Sequence, residues 1–127
     1  MEHLKPERLK RRADFKAVAG GRRVARPGFV LQARKAESEA GGEKPRGPHF
    51  GFTVTKNTGN AVVRNRIRRR LREAVRIMDN SGAQPGTDYV LVGRRAALTL
   101  QFERLVTDLV SGLEILSRPE KSPNGPR

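Results

Sequence analysis

Apolar and polar residues alternate in two segments of the chain, and a third segment is apolar nearly throughout. Residues 29–33 (FVLQA) and 49–55 (HFGFTVT) are typical of strands, and alternation places Phe50, Phe52 and Val54 on one face. Residues 88–93 (DYVLVG) predict a strand that is buried on both faces. The pattern leaves open a further strand within residues 21–34.

Three other segments carry the spacing of amphipathic helices. The first is short, from residue 12 to about residue 19, and the second runs from an expected Asn60 cap to about Met78. The third starts near Thr99, and its apolar residues recur at helical spacing: Phe102, Leu105, Val106, Leu109, Val110, Leu113 and Leu116. This order of elements predicts one α/β (α+β) two-layer sandwich, a small sheet covered by helices.

The remaining segments have no apolar period. Residues 1–11 are expected to form a basic N-terminal arm, residues 35–48 (KAESEAGGEKPRGP) a mobile loop, and residues 119–127 a disordered tail. The length of the chain fits a single domain, residues 1–118.

Charge then identifies a class of partner. The 127 residues include 27 Lys and Arg against 13 Asp and Glu, a formal net charge of +14. Self-repulsion of this size opposes a compact fold unless a polyanion neutralises it, which favours nucleic acid first and an anionic membrane second. Because the chain has no cysteine, no long apolar run and no apolar N-terminal segment, we expect a soluble, cytoplasmic protein.

The second predicted helix concentrates this charge. Residues 61–76 (AVVRNRIRRRLREAVR) contain seven arginines and one acid, Glu73. One side of the helix is apolar within an arc of roughly 120°: Val63, Ile67, Leu71, Ala74, Val75 and Met78. Since one Glu cannot neutralise seven arginines and arginine pairs bidentately with phosphate, the helix is predicted to pack on the sheet and present its arginines to a polyanion.

The chain offers little for catalysis by its own side chains. His3 and His49 have no partner at metal-ligand spacing, and no acid pair is placed for a two-metal site. Asp108 and Glu114 are predicted to lie on the solvent side of the last helix. No serine has a plausible His partner.

Three basic residues directly follow predicted strands: Lys56, Arg94 and Arg95. Such positions can border a cleft, and solvated strand ends are the alternative. Phe15 also has two possible roles: it is either a core residue of the first helix or a platform on which bases stack.

Beyond these patterns, the chain resembles the protein subunits of bacterial ribonuclease P. The resemblance rests on residues 56–73 (KNTGNAVVRNRIRRRLRE), with an R-N-R motif at residues 64–66, and extends through RLKRRADF, FVL, GFTVT and DYVLVGRR. It covers about residues 8–116. It implies a non-catalytic, RNA-binding protein of a ribonucleoprotein that removes the 5′ leader of precursor tRNA, with catalysis by the RNA subunit and its Mg²⁺.

The resemblance also implies a fold and a set of site residues. The fold is a sandwich with a mostly antiparallel sheet and a left-handed β-α-β crossover, against the usual right-handed rule. One protein binds each catalytic RNA, through Arg64, Asn65, Arg66, Arg68, Arg69, Arg70 and Arg72. The leader is bound by Phe15, Lys56 and Arg95. The expected cofactor, Mg²⁺, is bound mainly by the RNA.

Two departures and two alternatives accompany this resemblance. Ala19 and Gln32 stand where many members have aromatic residues, so we expect weaker stacking on leader bases. A ribosomal or ribonucleoprotein assembly protein would use the same basic α/β design without any enzymatic role. A nuclease with its own metal site is disfavoured by the missing carboxylates.

Overall fold

The computed structural model describes residues 7–8, 21–35, 47–78 and 82–118. These residues form five strands: β1 (Glu7–Arg8), β2 (Arg22–Ala25), β3 (Phe29–Lys35), β4 (His49–Thr53) and β5 (Thr87–Gly93). They also form two helices, α1 (Ala61–Met78) and α2 (Phe102–Ser117), and two short 3-10 turns at Lys56–Thr58 and Arg95–Leu98. The predicted first helix and tail, and most of the predicted loop, lie outside the described residues.

The strands build one mixed sheet in the order β1-β4-β5-β3-β2. The longest pairing, β3 with β5, is antiparallel, as is β2 with β3, whereas β4 is parallel to both β1 and β5. Because β4 and β5 are parallel neighbours joined through α1, the expected β-α-β crossover is present. The left-handed sense of this crossover stays a prediction. The predicted α/β sandwich is confirmed.

Helix α1 is held on the sheet by its apolar stripe. Val63 is partly buried, and the other stripe residues are at most 4% exposed: Ile67, Leu71, Ala74, Val75 and Met78. They join the strand residues Phe29, Leu31, Phe50 and Leu91 in one core. The helical periodicity therefore predicted the packed side of α1 correctly, and the remaining sides are left for the arginines.

Helix α2 packs on the same core through Leu105, Leu109 and Leu113, each fully buried. Arg22 of β2 fixes its C-terminal end, since Nη1 donates to the carbonyl oxygens of Leu116 at 2.9 Å and Arg118 at 2.7 Å. The negative end of the helix dipole also stabilises a cation at this position. Arg22 thus stabilises the fold at the β2 edge.

Some predictions about the elements need correction. Helix α2 begins at Phe102 and not near Thr99, because residues 95–98 form a separate 3-10 turn. Asp108 does not face solvent: it is 8% exposed and its carboxylate accepts the Nε–H of Arg104 at 3.0–3.1 Å. This pairing makes burial of the charge tolerable. Glu114 is exposed, as predicted.

Two strands refine the predicted outline. The strand left open within residues 21–34 exists as β2, which pairs with β3. In the expected N-terminal arm, β1 adds two residues to the sheet beside His49 and Phe50 of β4. Within the described part of the chain, no helix is both long enough and apolar enough to cross a membrane.

Tyr89 in the middle of β5 gives the fold a pH dependence. Its ring stacks on Phe50 with centroids 5.1 Å apart, and its hydroxyl oxygen accepts the backbone N–H of Gln84 at 2.9 Å. Burial raises the pKa of Tyr89 above its usual value of 10.0, so the fold favours the neutral phenol. Stability from this residue is present below about pH 10 and is lost as pH rises through the raised pKa.

We therefore expect Tyr89→Phe to reduce the alkaline loss of stability. At pH 8 the variant should be about 1 kcal/mol less stable, because the bond with Gln84 is lost. Between pH 9 and 11 its urea midpoint should fall less than that of the unsubstituted protein. Parallel losses in the two proteins, followed by circular dichroism, would show that Tyr89 does not titrate within the fold.

Candidate nucleic-acid interface

The start of α1 is fixed by the predicted cap. The side-chain oxygen of Asn60 accepts the backbone N–H of Val63 at 2.9 Å, and its carbonyl oxygen accepts that of Arg64 at 2.9 Å. These bonds satisfy donors that the first turn of a helix otherwise leaves free. The R-N-R motif therefore lies in the first two turns of a helix with a defined beginning.

Arg66 and Arg69 form the outermost part of α1. Both side chains are exposed, and neither makes a hydrogen bond or ion pair with another described residue. Asn65 is exposed beside them, and the Nε–H of Arg64 reaches back to the carbonyl oxygen of Asn60 at 3.5 Å. Two guanidinium groups on a rigid helix thus present all of their donors outward.

On the flank of α1 that faces β4, two arginines contact nearby side chains. The guanidinium carbon of Arg72 lies 5.7 Å from the ring centroid of Phe52, in cation–π range. Arg68 donates from Nη2 to the side-chain oxygen of Asn65. Each contact restrains an arginine side chain and so reduces the conformational freedom that binding would have to remove.

The opposite flank holds an arginine whose donors are used inside the protein. Arg70 donates from Nη1 to the carbonyl oxygen of Ala97, and from Nη2 to that of Leu100 at 2.7 Å. The side chain is partly buried. Although Arg70 was implied to bind RNA with its neighbours, its guanidinium points toward the segment between β5 and α2.

At the end of the helix, Arg76 is paired with Glu73. The Nε–H of Arg76 donates to both carboxylate oxygens at 3.0 and 3.1 Å, and Nη2 donates to Oε1. This hydrogen bonding lowers the pKa of Glu73 and raises the pKa of Arg76. The pair reduces the net positive charge of the last turn, so the outward arginine surface is concentrated between Arg64 and Arg72.

The predicted leader-binding residues meet at the two 3-10 turns. Arg95 donates from Nη1 to the carbonyl oxygen of Thr58 at 2.8 Å, which joins its turn to the one that Lys56 begins. Both side chains are exposed, as is Arg94. Phe15 lies outside the described residues. The structure thus brings Lys56 and Arg95 to one region, directly before α1.

The other face of the sheet is lined by different groups. Gln32 is 9% exposed and lies opposite Val90, and His49 lies 3.5 Å from the carboxylate of Asp88. Among the described residues there is no group of three His, Asp or Glu side chains that could hold a metal ion.

Comparisons with known proteins identify the family of this chain. The sequence profile of the family described as Ribonuclease P matches residues 4–117. The chain belongs to the ribonuclease P protein family. The "Ribonuclease P protein component" of Bartonella quintana is 41% identical over 125 residues, which cover 98% of this chain and 94% of that protein. That of Gluconacetobacter diazotrophicus is 50% identical over 103 residues, covering 80% and 84%.

Solved ribonuclease P proteins share the fold. The Staphylococcus aureus protein is 27% identical, with a TM-score of 0.66 over 88% of this chain and 96% of that one. The Thermotoga maritima protein is 24% identical, with a TM-score of 0.68 over 86% and 96%, a likeness of fold alone. This chain is a protein subunit of ribonuclease P, and the ribonuclease P RNA is its partner.

For this ribonuclease P subunit, the sequence missed the internal bonds of Arg70. A signal was available, since Arg70 lies three residues after Ile67 and four before Ala74, and both are buried. Residues at these spacings share a side of the helix. Arg70 is therefore nearer to the packed side than Arg66 or Arg69. Its acceptors, however, are about 30 residues away and could not be inferred.

Proposed function

We propose that this subunit binds the catalytic RNA through the outward arginines of α1 and holds the 5′ leader of precursor tRNA at the adjoining turns. In this way it assists endonucleolytic removal of the leader. The observation that carries the proposal is the exposure of Arg66 and Arg69 on a helix whose opposite side is buried in the core. A firmly packed helix keeps its donors in place for phosphates.

The charge of the chain supports a phosphate partner. The formal net charge is +14, and α1 alone supplies seven arginines between Arg64 and Arg76. Each basic side chain that neutralises an RNA phosphate releases counterions, so binding should weaken steeply as salt increases. We assign the RNA contact to Arg64, Asn65, Arg66, Arg68, Arg69 and Arg72.

The proposed position of the leader is beside this surface. Lys56 and Arg95 lie on turns that directly precede or adjoin the start of α1. A leader strand of precursor tRNA that runs past the catalytic RNA at α1 would reach these two side chains next. The proposed leader site consists of these two residues and of Phe15, which only the family resemblance assigns to it. Charge contributes more than stacking to leader binding, because Ala19 and Gln32 are not aromatic.

Catalysis in this proposal belongs to the RNA and to magnesium ions that the RNA holds. Among the described residues, no three His, Asp or Glu side chains are grouped where they could hold a metal ion. No step is therefore assigned to a metal on the protein. We propose one protein per RNA, acting in the cytoplasm.

Affinity for precursor and mature tRNA tests the leader site. Adding the protein to the ribonuclease P RNA should tighten binding of precursor tRNA and leave binding of mature tRNA nearly unchanged. Lys56→Ala should reduce this preference roughly two- to fivefold, the range of an exposed charge pair. Arg23→Ala on the far-edge strand β2 removes one charge elsewhere and serves as the control. Equal tightening of both tRNAs would contradict a leader site.

A further inference from the structure

Arg70 donates hydrogen bonds to carbonyl groups between β5 and α2 that have no backbone donor in the described part of the chain. Its two terminal nitrogens donate to the carbonyl oxygens of Ala97 and Leu100. Among the described residues, neither oxygen accepts a backbone hydrogen bond, because the N–H groups of Thr99 and Leu100 donate to Ala96 and the first bonds of α2 go to Gln101. Ala97 is fully buried. A carbonyl there without a donor would be costly.

The chemistry of arginine suits this place. A planar guanidinium carries several donors in a fixed fork, so Nη1 and Nη2 can reach two carbonyl oxygens three residues apart at the same time. A lysine ammonium keeps the charge but has no such fork. The contact therefore depends on the shape of the side chain as well as on its charge.

The same segment is also fixed at its first residue. Arg95 donates to the carbonyl oxygen of Thr58 at 2.8 Å, and Gly59 leaves room for it, since a Cβ there would lie 3.2 Å from Arg95 Nη1. The segment from Arg95 to Leu100 is thus bonded at one end to the turn before α1. At its other end it is bonded to the middle of α1.

We infer that Arg70 is a positioning residue, which holds the Arg95–Leu98 turn against α1 and is not itself a phosphate contact. The consequence for tRNA rests on the proposed function. With the turn fixed, Arg95 keeps a constant place relative to Arg66 and Arg69, so the leader site and the RNA-binding surface remain in register.

Three variants and three measurements test this inference. Arg70→Ala removes the bonds and the charge, Arg70→Lys removes only the fork, and Arg66→Ala is the matched variant one turn earlier on the same flank. The measurements are the thermal midpoint of the free protein, the salt slope of binding to the ribonuclease P RNA, and the ratio of precursor to mature tRNA affinity in the reconstituted complex.

A positioning role predicts that Arg70→Ala lowers the midpoint by about 5 °C or more and leaves the salt slope within about 0.3 of the unsubstituted value. Arg66→Ala should leave the midpoint nearly unchanged and lower the slope by about 0.7–0.9. Arg70→Lys should also lower the midpoint and reduce the precursor preference about threefold, although the charge is kept.

The opposite pattern would overturn the inference. If Arg70 contacts phosphate, Arg70→Ala lowers the slope as much as Arg66→Ala does, with an unchanged midpoint, and Arg70→Lys resembles the unsubstituted protein in all three measurements. If Arg70→Ala does not fold, Arg70→Lys still separates the two roles. A complex without precursor preference would contradict the proposed function, while midpoint and slope would still decide the role of Arg70.

Discussion

Replacing Arg66 and Arg69 together with alanine is expected to weaken binding to the ribonuclease P RNA on the order of tenfold near physiological salt. The slope of log K against log salt should fall by about 1.4–1.8, because each lost phosphate contact removes roughly 0.7–0.9. Both side chains are exposed and make no bond with another described residue. The unfolding midpoint of the free protein should therefore change little.

A matched control removes the same charge from another part of the surface. Arg23→Ala with Arg118→Ala deletes two exposed arginines near the β2 edge, which lies across the sheet from β4. If α1 is the contact, this control should retain nearly the full slope. An equal loss in both double variants would mean that RNA responds to total charge and not to α1.

Replacing Gly93 with alanine is expected to destabilise the protein by about 1–3 kcal/mol, a common cost of overpacking a core. A Cβ at this position would lie 2.5 Å from Ile67 Cγ2, 3.0 Å from Val54 Cγ2 and 3.2 Å from Leu71 Cδ1. Ile67 is β-branched and lies within a helix, so it has little freedom to move aside. Urea unfolding at fixed ionic strength measures the effect.

A second substitution identifies the cause. Ile67→Leu removes the methyl group on Cβ that meets the added atom, so the double variant should recover part of the stability lost by Gly93→Ala. Such coupling is expected between residues in contact. Strictly additive losses would show that the close approach of α1 to β5 is not what Gly93 permits.

The contacts made along one element were predictable from the sequence. The stripe of α1, the Asn60 cap and the three apolar strands follow from periodicity and from residue types that favour one local geometry. Glu73 was visible as the one acid among the arginines, and its bonds with Arg76 join residues three positions apart. Local spacing is sufficient for such features, because the helix itself sets which side chains meet.

Most of the features that the sequence did not show depend on partners distant along the chain. Asp108 is buried with help from Arg104 on its own helix, but Arg26, some 80 residues earlier, also bonds to the helix there, at the Asp108 carbonyl and Ser111. Arg70 and Arg95 find carbonyl oxygens on other elements in the same way. An arginine has the same pattern in the sequence whether it binds phosphate or a backbone carbonyl, so only the fold distinguishes the two.

The arginines of this subunit therefore have different roles. Arg22, Arg26 and Arg70 stabilise the fold through bonds to backbone oxygens, and Arg104 does so through a carboxylate. Arg66 and Arg69 are exposed and bond with no other described residue, and we propose that they contact the RNA. A chain with a net charge of +14 thus uses part of its positive charge to build the surface that the rest presents.

Reconstitution of cleavage shows whether this protein assists the catalytic RNA. The protein is added to a bacterial ribonuclease P RNA at a magnesium concentration too low for the RNA to act well alone, and release of the 5′ leader from precursor tRNA is followed. We predict that the protein restores cleavage and that it releases no leader in the absence of the RNA. No stimulation would show that the protein does not assist the RNA, and cleavage by the protein alone would show that the RNA is not the catalyst.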